Sequence, residues 1–212
     1  MNKTEYAEQL RRAERALAAS GALMRRLARR HGPCALSPNW RRTPYQALVQ
    51  AVVYQQLSGK VASVIFDRFL ALFPGTRFPD PERLLAVDPQ ELRAAGLSRQ
   101  KAAYLRGIAE HALAGIVPTR RALLARAEDD EIIERIVPVK GVGRWTVEMM
   151  LIFTLGRLDV WPVDDYGVRK GYSLAAGLDE LVSPRELRAP GDVWKPYRSV
   201  AAWYLWQEAG AG

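Results

Sequence analysis

Apolar residues along this chain recur at helical spacing, and no segment sustains the alternation of a half-buried strand. Tyr6, Leu10, Ala13 and Leu17 form one stripe, with Thr4 as the expected cap. A second helix is expected to start at Ser20 and to stop before Gly32. Residues 32–42, with Pro33 and Pro38, read as irregular. Thr43-Pro44 is a cap followed by a first-turn proline, and Tyr45, Leu48, Val49, Val52 and Val53 follow at core-facing spacing. Leu57-Ser58-Gly59 interrupts that helix, and Val61, Val64, Ile65, Phe69 and Leu72 mark the next. After Pro74-Gly75 come short helices over 81–87 and 89–94, then a longer one that Ser98 caps and that reaches 114. Further helices are predicted from 129 or 130 to 137 and over 143–155, 165–176, 184–189 and 196–208. About ten helices with short connectors place the chain in the all-α class.

Length and charge narrow the picture. The 212 residues suffice for one large domain or for two small helical ones. No apolar run approaches a membrane span, and the charged N-terminus lacks the apolar stretch of a signal peptide. Cys34 is the single cysteine, so no intrachain disulfide can form, and a reducing cytoplasm is the expected location. The formal net charge of +8 suits a polyanionic partner, because Lys and Arg displace the counterions condensed on phosphates. Abundant arginine and alanine also arise in GC-rich genomes, so charge alone leaves nucleic-acid binding open.

Two segments carry candidate chemistry. The first is the predicted helix pair over 132–155, joined by Pro138-Val139-Lys140-Gly141-Val142-Gly143. Two glycines around one apolar residue allow a tight turn, and the second helix, expected from Gly143, offers first-turn amides to a phosphate. Val142 is expected to plug the hairpin into the helices beneath it. A plain helical hairpin would explain the same glycines. The second segment is Trp161-Pro162-Val163-Asp164-Asp165-Tyr166, which opens a helix. A fixed carboxylate there suits a transition state that develops positive charge on a sugar. Both aspartates also fit simple N-caps.

Taken in order, five pieces resemble the helix-hairpin-helix DNA glycosylase superfamily, and within it the 3-methyladenine DNA glycosylase II group. They are Gln55-Gln56-Leu57-Ser58 with Lys60-Val61-Ala62, Gly96-Leu97-Ser98 with Lys101, Val139-Lys140-Gly141-Val142-Gly143-Arg144-Trp145-Thr146, Pro162-Val163-Asp164-Asp165-Tyr166, and Trp194-Lys195-Pro196-Tyr197-Arg198-Ser199. The resemblance implies two helical subdomains flanking an active-site cleft. Residues 1–42 with 160–212 would form the terminal one, and 43–159, with the hairpin at 132–155, the central one. By position it assigns Asp165 as the catalytic aspartate, Asp164 as a non-catalytic neighbour and Leu57 as the wedge filling the stack a flipped base leaves. It assigns Trp145 and Trp206 to the base pocket with Met149, and Lys140, Gly141, Val142, Gly143, Arg144 and Thr146 to the phosphate-binding hairpin. Leu57 also fits a core leucine, and Trp40, Trp161, Trp194 and Trp203 are expected in the core.

The implied activity is monofunctional excision of alkylated purines from damaged double-stranded DNA, by a monomer. Relatives competent as lyases carry a nucleophilic lysine where this chain has Trp145, so strand cleavage is not expected. Met149 stands where the enterobacterial enzyme has a tyrosine. No cofactor is implied beyond a possible monovalent cation at the hairpin carbonyls, and one cysteine excludes the branch that holds an iron–sulfur cluster. Three alternatives stand beside this reading: a non-catalytic helix-hairpin-helix module that binds duplex DNA, a glycosylase for oxidised or mispaired bases, and a basic helical RNA-associated protein. Asp165 with Trp145 and Trp206 argues against a bare binder, and nothing favours the RNA reading.

Overall fold

The computed structural model describes residues 2–211. Its described residues hold twelve α-helices and no strand, together with a 3-10 turn at Arg121–Leu124 and a π-helical turn at Leu151–Leu155. The chain divides into two compact units, Met1–Pro38 with Leu151–Gly212, and Asn39–Met150. The seams thus fall at Pro38 and Met150, earlier than the expected 42 and 159. No helix among the described residues is long and apolar enough to cross a membrane.

The terminal unit contains α1 (Lys3–Ser20), α2 (Ala22–His31), α10 (Tyr166–Ala176), α11 (Pro184–Asp192) and α12 (Arg198–Gly210). The stripe Tyr6, Leu10, Ala13 and Leu17 is buried as its spacing requires, with Met24 and Leu27 of α2. α12 adds Val200, Ala201, Ala202, Tyr204 and Leu205 to this core. Fully burying a leucine contributes about 1.5–3 kcal/mol, so such a stripe outweighs the modest intrinsic propensity of a short helix. Helices α10 and α12 approach so closely that a Cβ at Gly171 would overlap the Leu205 backbone. Only glycine fits there.

The central unit runs through α3 (Pro44–Tyr54), α4 (Gly59–Ala71), α5 (Pro81–Ala86), α6 (Pro89–Ala94), α7 (Arg99–Leu113), α8 (Asp129–Ile136) and α9 (Arg144–Met150). Leu48, Val49, Val52 and Val53 of α3 are fully buried, as are Leu105 and Ile108 of α7. The rings of Phe66, Phe69, Phe73 and Phe78 close one end of this core. Thr43 caps α3 in a reciprocal box with Gln46, and Ser98 caps α7.

Several expected boundaries move. Asn2, not Thr4, caps α1, in a box with Glu5, so the helix already includes Thr4. Ser20 ends α1 and α2 begins at Ala22, because the extended backbone of Gly21 separates them. The helix expected over 143–155 is α9 followed by the π-helical turn, closed where the Arg157 amide donates to the Leu151 carbonyl at 3.0 Å. α11 continues through Pro190 to Asp192, and α12 starts at Arg198 rather than 196. Trp161 and Trp194 are core residues in edge contact, whereas Trp40 and Trp203 are only half-buried.

Candidate functional site

In the terminal unit, the sequence Pro162-Val163-Asp164-Asp165 ends in a turn that delivers Asp165 to the N-cap of α10. The neighbouring aspartates then part company. Asp164 is exposed, while Asp165 is 8% exposed and accepts at Oδ1 from the Val168 amide at 2.8 Å. The same oxygen accepts from the Trp206 indole Nε1–H, also at 2.8 Å. An N-cap therefore doubles as an oriented, largely dehydrated carboxylate at the positive end of a helix dipole. Gly167 allows the indole this close, since a Cβ there would meet Trp206 Cδ1 and Asp165 Oδ1. The indole also stacks on Phe153 with centroids 5.6 Å apart and planes 28° from parallel, and Phe153 is partly exposed. Trp206, expected as a pocket wall, is thus a hydrogen-bond donor to the carboxylate. Phe153, which the sequence reading passed over, extends its aromatic surface.

The two histidines lie elsewhere in their own units. His31 Nε2 contacts Glu208 at 2.6 Å beside Arg30, and His111 Nδ1 contacts the Gly107 carbonyl.

In the central unit, the hairpin joins α8 to α9 as its glycines suggested. Gly141 has φ +87°, in the left-handed region that favours glycine, and a Cβ there would overlap the Tyr104 ring. Val142 is buried, as a plug should be, and its amide donates to the Val139 carbonyl. Helix α9 begins at Arg144 rather than Gly143. Lys140, Gly143 and Arg144 are exposed, Gly141 is half-buried and Thr146 is buried. The Arg144 guanidinium is drawn to Glu148 at 3.0 Å and Asp130 at 3.3 Å. Trp145 is 43% exposed and Met149 half-buried.

Leu57 is 37% exposed, which disfavours the core-leucine alternative. It follows an unusual turn between α3 and α4. Gln56 has φ +57°, a left-handed conformation that costs a non-glycine residue about 1–2 kcal/mol. The turn is anchored from two sides. Lys101 Nζ donates to the Val53 and Gln55 carbonyls, each at 2.7 Å, and Gln55 Nε2 donates to the Gly141 carbonyl at 3.0 Å. Burial lowers the Lys101 pKa from its ordinary value. Gln55 and Lys101 stand among the residues that carry the family resemblance, but sequence spacing gave them no role.

Comparison with known proteins agrees with this architecture. Residues 49–196 match the family described as HhH-GPD superfamily base excision DNA repair protein. DNA-3-methyladenine glycosylase 1 of Schizosaccharomyces pombe is 40% identical over 167 residues, covering 79% of this chain and 73% of that protein. The solved structure of a 3-methyladenine DNA glycosylase from the same yeast, in complex with abasic DNA, superposes with a TM-score of 0.83 at 38% identity, covering 92% of this chain and 95% of that one. A DNA-3-methyladenine glycosidase from Bacillus halodurans superposes with the same TM-score at 35% identity, covering 93% and 89%. The chain therefore belongs to the HhH-GPD superfamily of base excision DNA repair proteins.

Proposed function

We propose that this chain is a monofunctional DNA glycosylase of base excision repair, which extrudes alkylated purines such as 3-methyladenine and 7-methylguanine from duplex DNA and hydrolyses their N-glycosidic bond. The observation that carries this reading is the buried Asp165 carboxylate, held by two N–H donors at the start of α10 in a chain of this family. The similar proteins named above, each called a 3-methyladenine glycosylase or glycosidase, support the substrate class.

In the proposed reaction the bond from C1′ to the purine nitrogen breaks and its electron pair leaves with the base. Positive charge develops on the deoxyribose, and the Asp165 carboxylate stabilises it. Water adds to C1′ and releases a proton. An N3- or N7-alkylated purine already carries a positive charge and departs neutral, so it needs little protonation by the enzyme. The aromatic faces of Trp206 and Phe153, stacked beside that carboxylate, suit such a cation through π attraction. Leu57, exposed beside its strained turn, is the wedge in this reading, and the hairpin seats backbone phosphate. Hydrolysis transfers no electrons, so the reading calls for no redox cofactor. A single chain suffices for every role assigned.

The test is incubation with methylated duplex DNA, followed by chromatography of the released bases. Free 3-methyladenine and 7-methylguanine are expected, with the DNA strands left uncut. DNA binding without any released base would favour the non-catalytic module instead.

A further inference from the structure

The wedge turn and the phosphate hairpin come from distant parts of the sequence, yet one small polar network joins them. Lys101, in the first turn of α7, reaches back to the carbonyls of Val53 and Gln55 at the end of α3. A helix end leaves its last carbonyls without intrahelical partners, and an ammonium is a strong donor to them. The amide of Gln55 then crosses to the Gly141 carbonyl at the apex of the hairpin. One turn along the same helix, the Tyr104 ring packs where a Gly141 side chain would stand. Helix α7 thus holds both DNA-facing loops from one side, Lys101 gripping the turn and Tyr104 backing the hairpin.

We infer that Lys101 and Gln55 are positioning residues that fix the left-handed turn at Gln56, and so set the spacing between Leu57 and the hairpin, making phosphate seating and wedge insertion one concerted act. The inference rests on the proposed wedge role of Leu57. Without the ammonium, only the Gln55 bond to Gly141 remains in this network to offset the cost of the left-handed Gln56, and the turn loosens. Leu57 then meets the duplex in a spread of positions instead of one. Neither Lys101 nor Gln55 needs to touch the damaged base.

The experiment is a double-mutant cycle on single-turnover release of 7-methylguanine from a defined duplex. Lys101→Met keeps the stem and removes every donor, and the charge-assisted bonds it loses correspond to roughly a tenfold to hundredfold slower release. In a Leu57→Ala background the same change is expected to cost less than about twofold, because the element it positions is gone. Lys101→Arg, which retains donors, is expected to recover part of the rate. A loss of equal size in both backgrounds would overturn the inference, since a merely structural lysine would act independently of Leu57. So would an unchanged rate for Lys101→Met. If that variant fails to fold in a thermal melt, Gln55→Met takes its place in the cycle, because it breaks only the contact to Gly141. A wild-type rate for Leu57→Ala alone refutes the wedge reading itself, a failure separate from that of the brace.

Discussion

Asp165→Asn separates charge from shape at the proposed catalytic position. The asparagine side-chain oxygen can still accept from the Val168 amide and the Trp206 indole, the two bonds of 2.8 Å that orient the carboxylate. Asparagine is about as good an N-cap as aspartate, so α10 keeps its start. What disappears is the charge. Its attraction to the helix dipole contributes about 0.3–1 kcal/mol, which for a chain of this size moves Tm by less than about 4 °C. Catalysis loses far more. A unit charge about 4 Å from a developing oxocarbenium, at an effective dielectric near 20, stabilises it by about 4 kcal/mol, or roughly a thousandfold in rate. Asp165 is 8% exposed, so little water stands ready to take over that role. The assay is single-turnover release of 7-methylguanine, paired with binding to a duplex that carries an abasic-site analogue. Release is expected to fall by about three orders of magnitude, while binding and Tm stay close to wild type. Asp165→Ala should lose as much activity and also more stability, since it removes the cap and leaves the half-buried indole N–H without its acceptor. More than about a tenth of wild-type rate in Asp165→Asn would refute the argument, because a fixed charge in such a site contributes well over tenfold.

Trp206→Phe retains a ring to stack on Phe153 but deletes the indole donor to Asp165; release should slow by roughly tenfold to a hundredfold in the same assay, with folding intact. Borohydride reduction in the presence of an abasic duplex should trap no covalent adduct, since Trp145 offers no amine to the sugar, and denaturing electrophoresis would reveal one. Burial pushes the Cys34 thiol from 9.0 up to about 12, so a thiol reagent at pH 8 should modify it only after denaturation. A folded value above the unfolded one means this contribution to stability is complete below about pH 9 and is lost as pH rises towards 12, which thermal melts of wild type and Cys34→Ala would compare.

The helices were legible where packing and capping speak locally. Thr43-Pro44 with Gln46, and the α1 stripe from Tyr6 to Leu17, each carry their own evidence within a few residues. The ends were harder. Asn2 and Thr4 are both acceptable caps, and only the reciprocal bond with Glu5 decides for Asn2. The π-helical turn at Leu151–Leu155 was invisible, because its apolar residues fit an ordinary helix equally well. Asp165 and Leu57 were reached through resemblance; in the structure one is a buried cap, the other an exposed residue after a left-handed turn. The bond from Trp206 to Asp165 and the brace through Lys101, Gln55 and Gly141 join residues far apart in sequence. No periodicity records such pairings. They exist only once the helices have packed.

The central claim is that a fixed carboxylate beside aromatic faces removes cationic alkylpurines. Its most direct test places 7-methylguanine, 8-oxoguanine and uracil, each in an otherwise identical duplex, in one competing reaction with the protein, and follows the free bases over time. A pocket that attracts charge, in place of a set of polar groups reading one edge of a base, should release 7-methylguanine fastest and leave the other two largely in place. Faster loss of 8-oxoguanine or uracil would contradict the assignment of alkylpurines as the substrate.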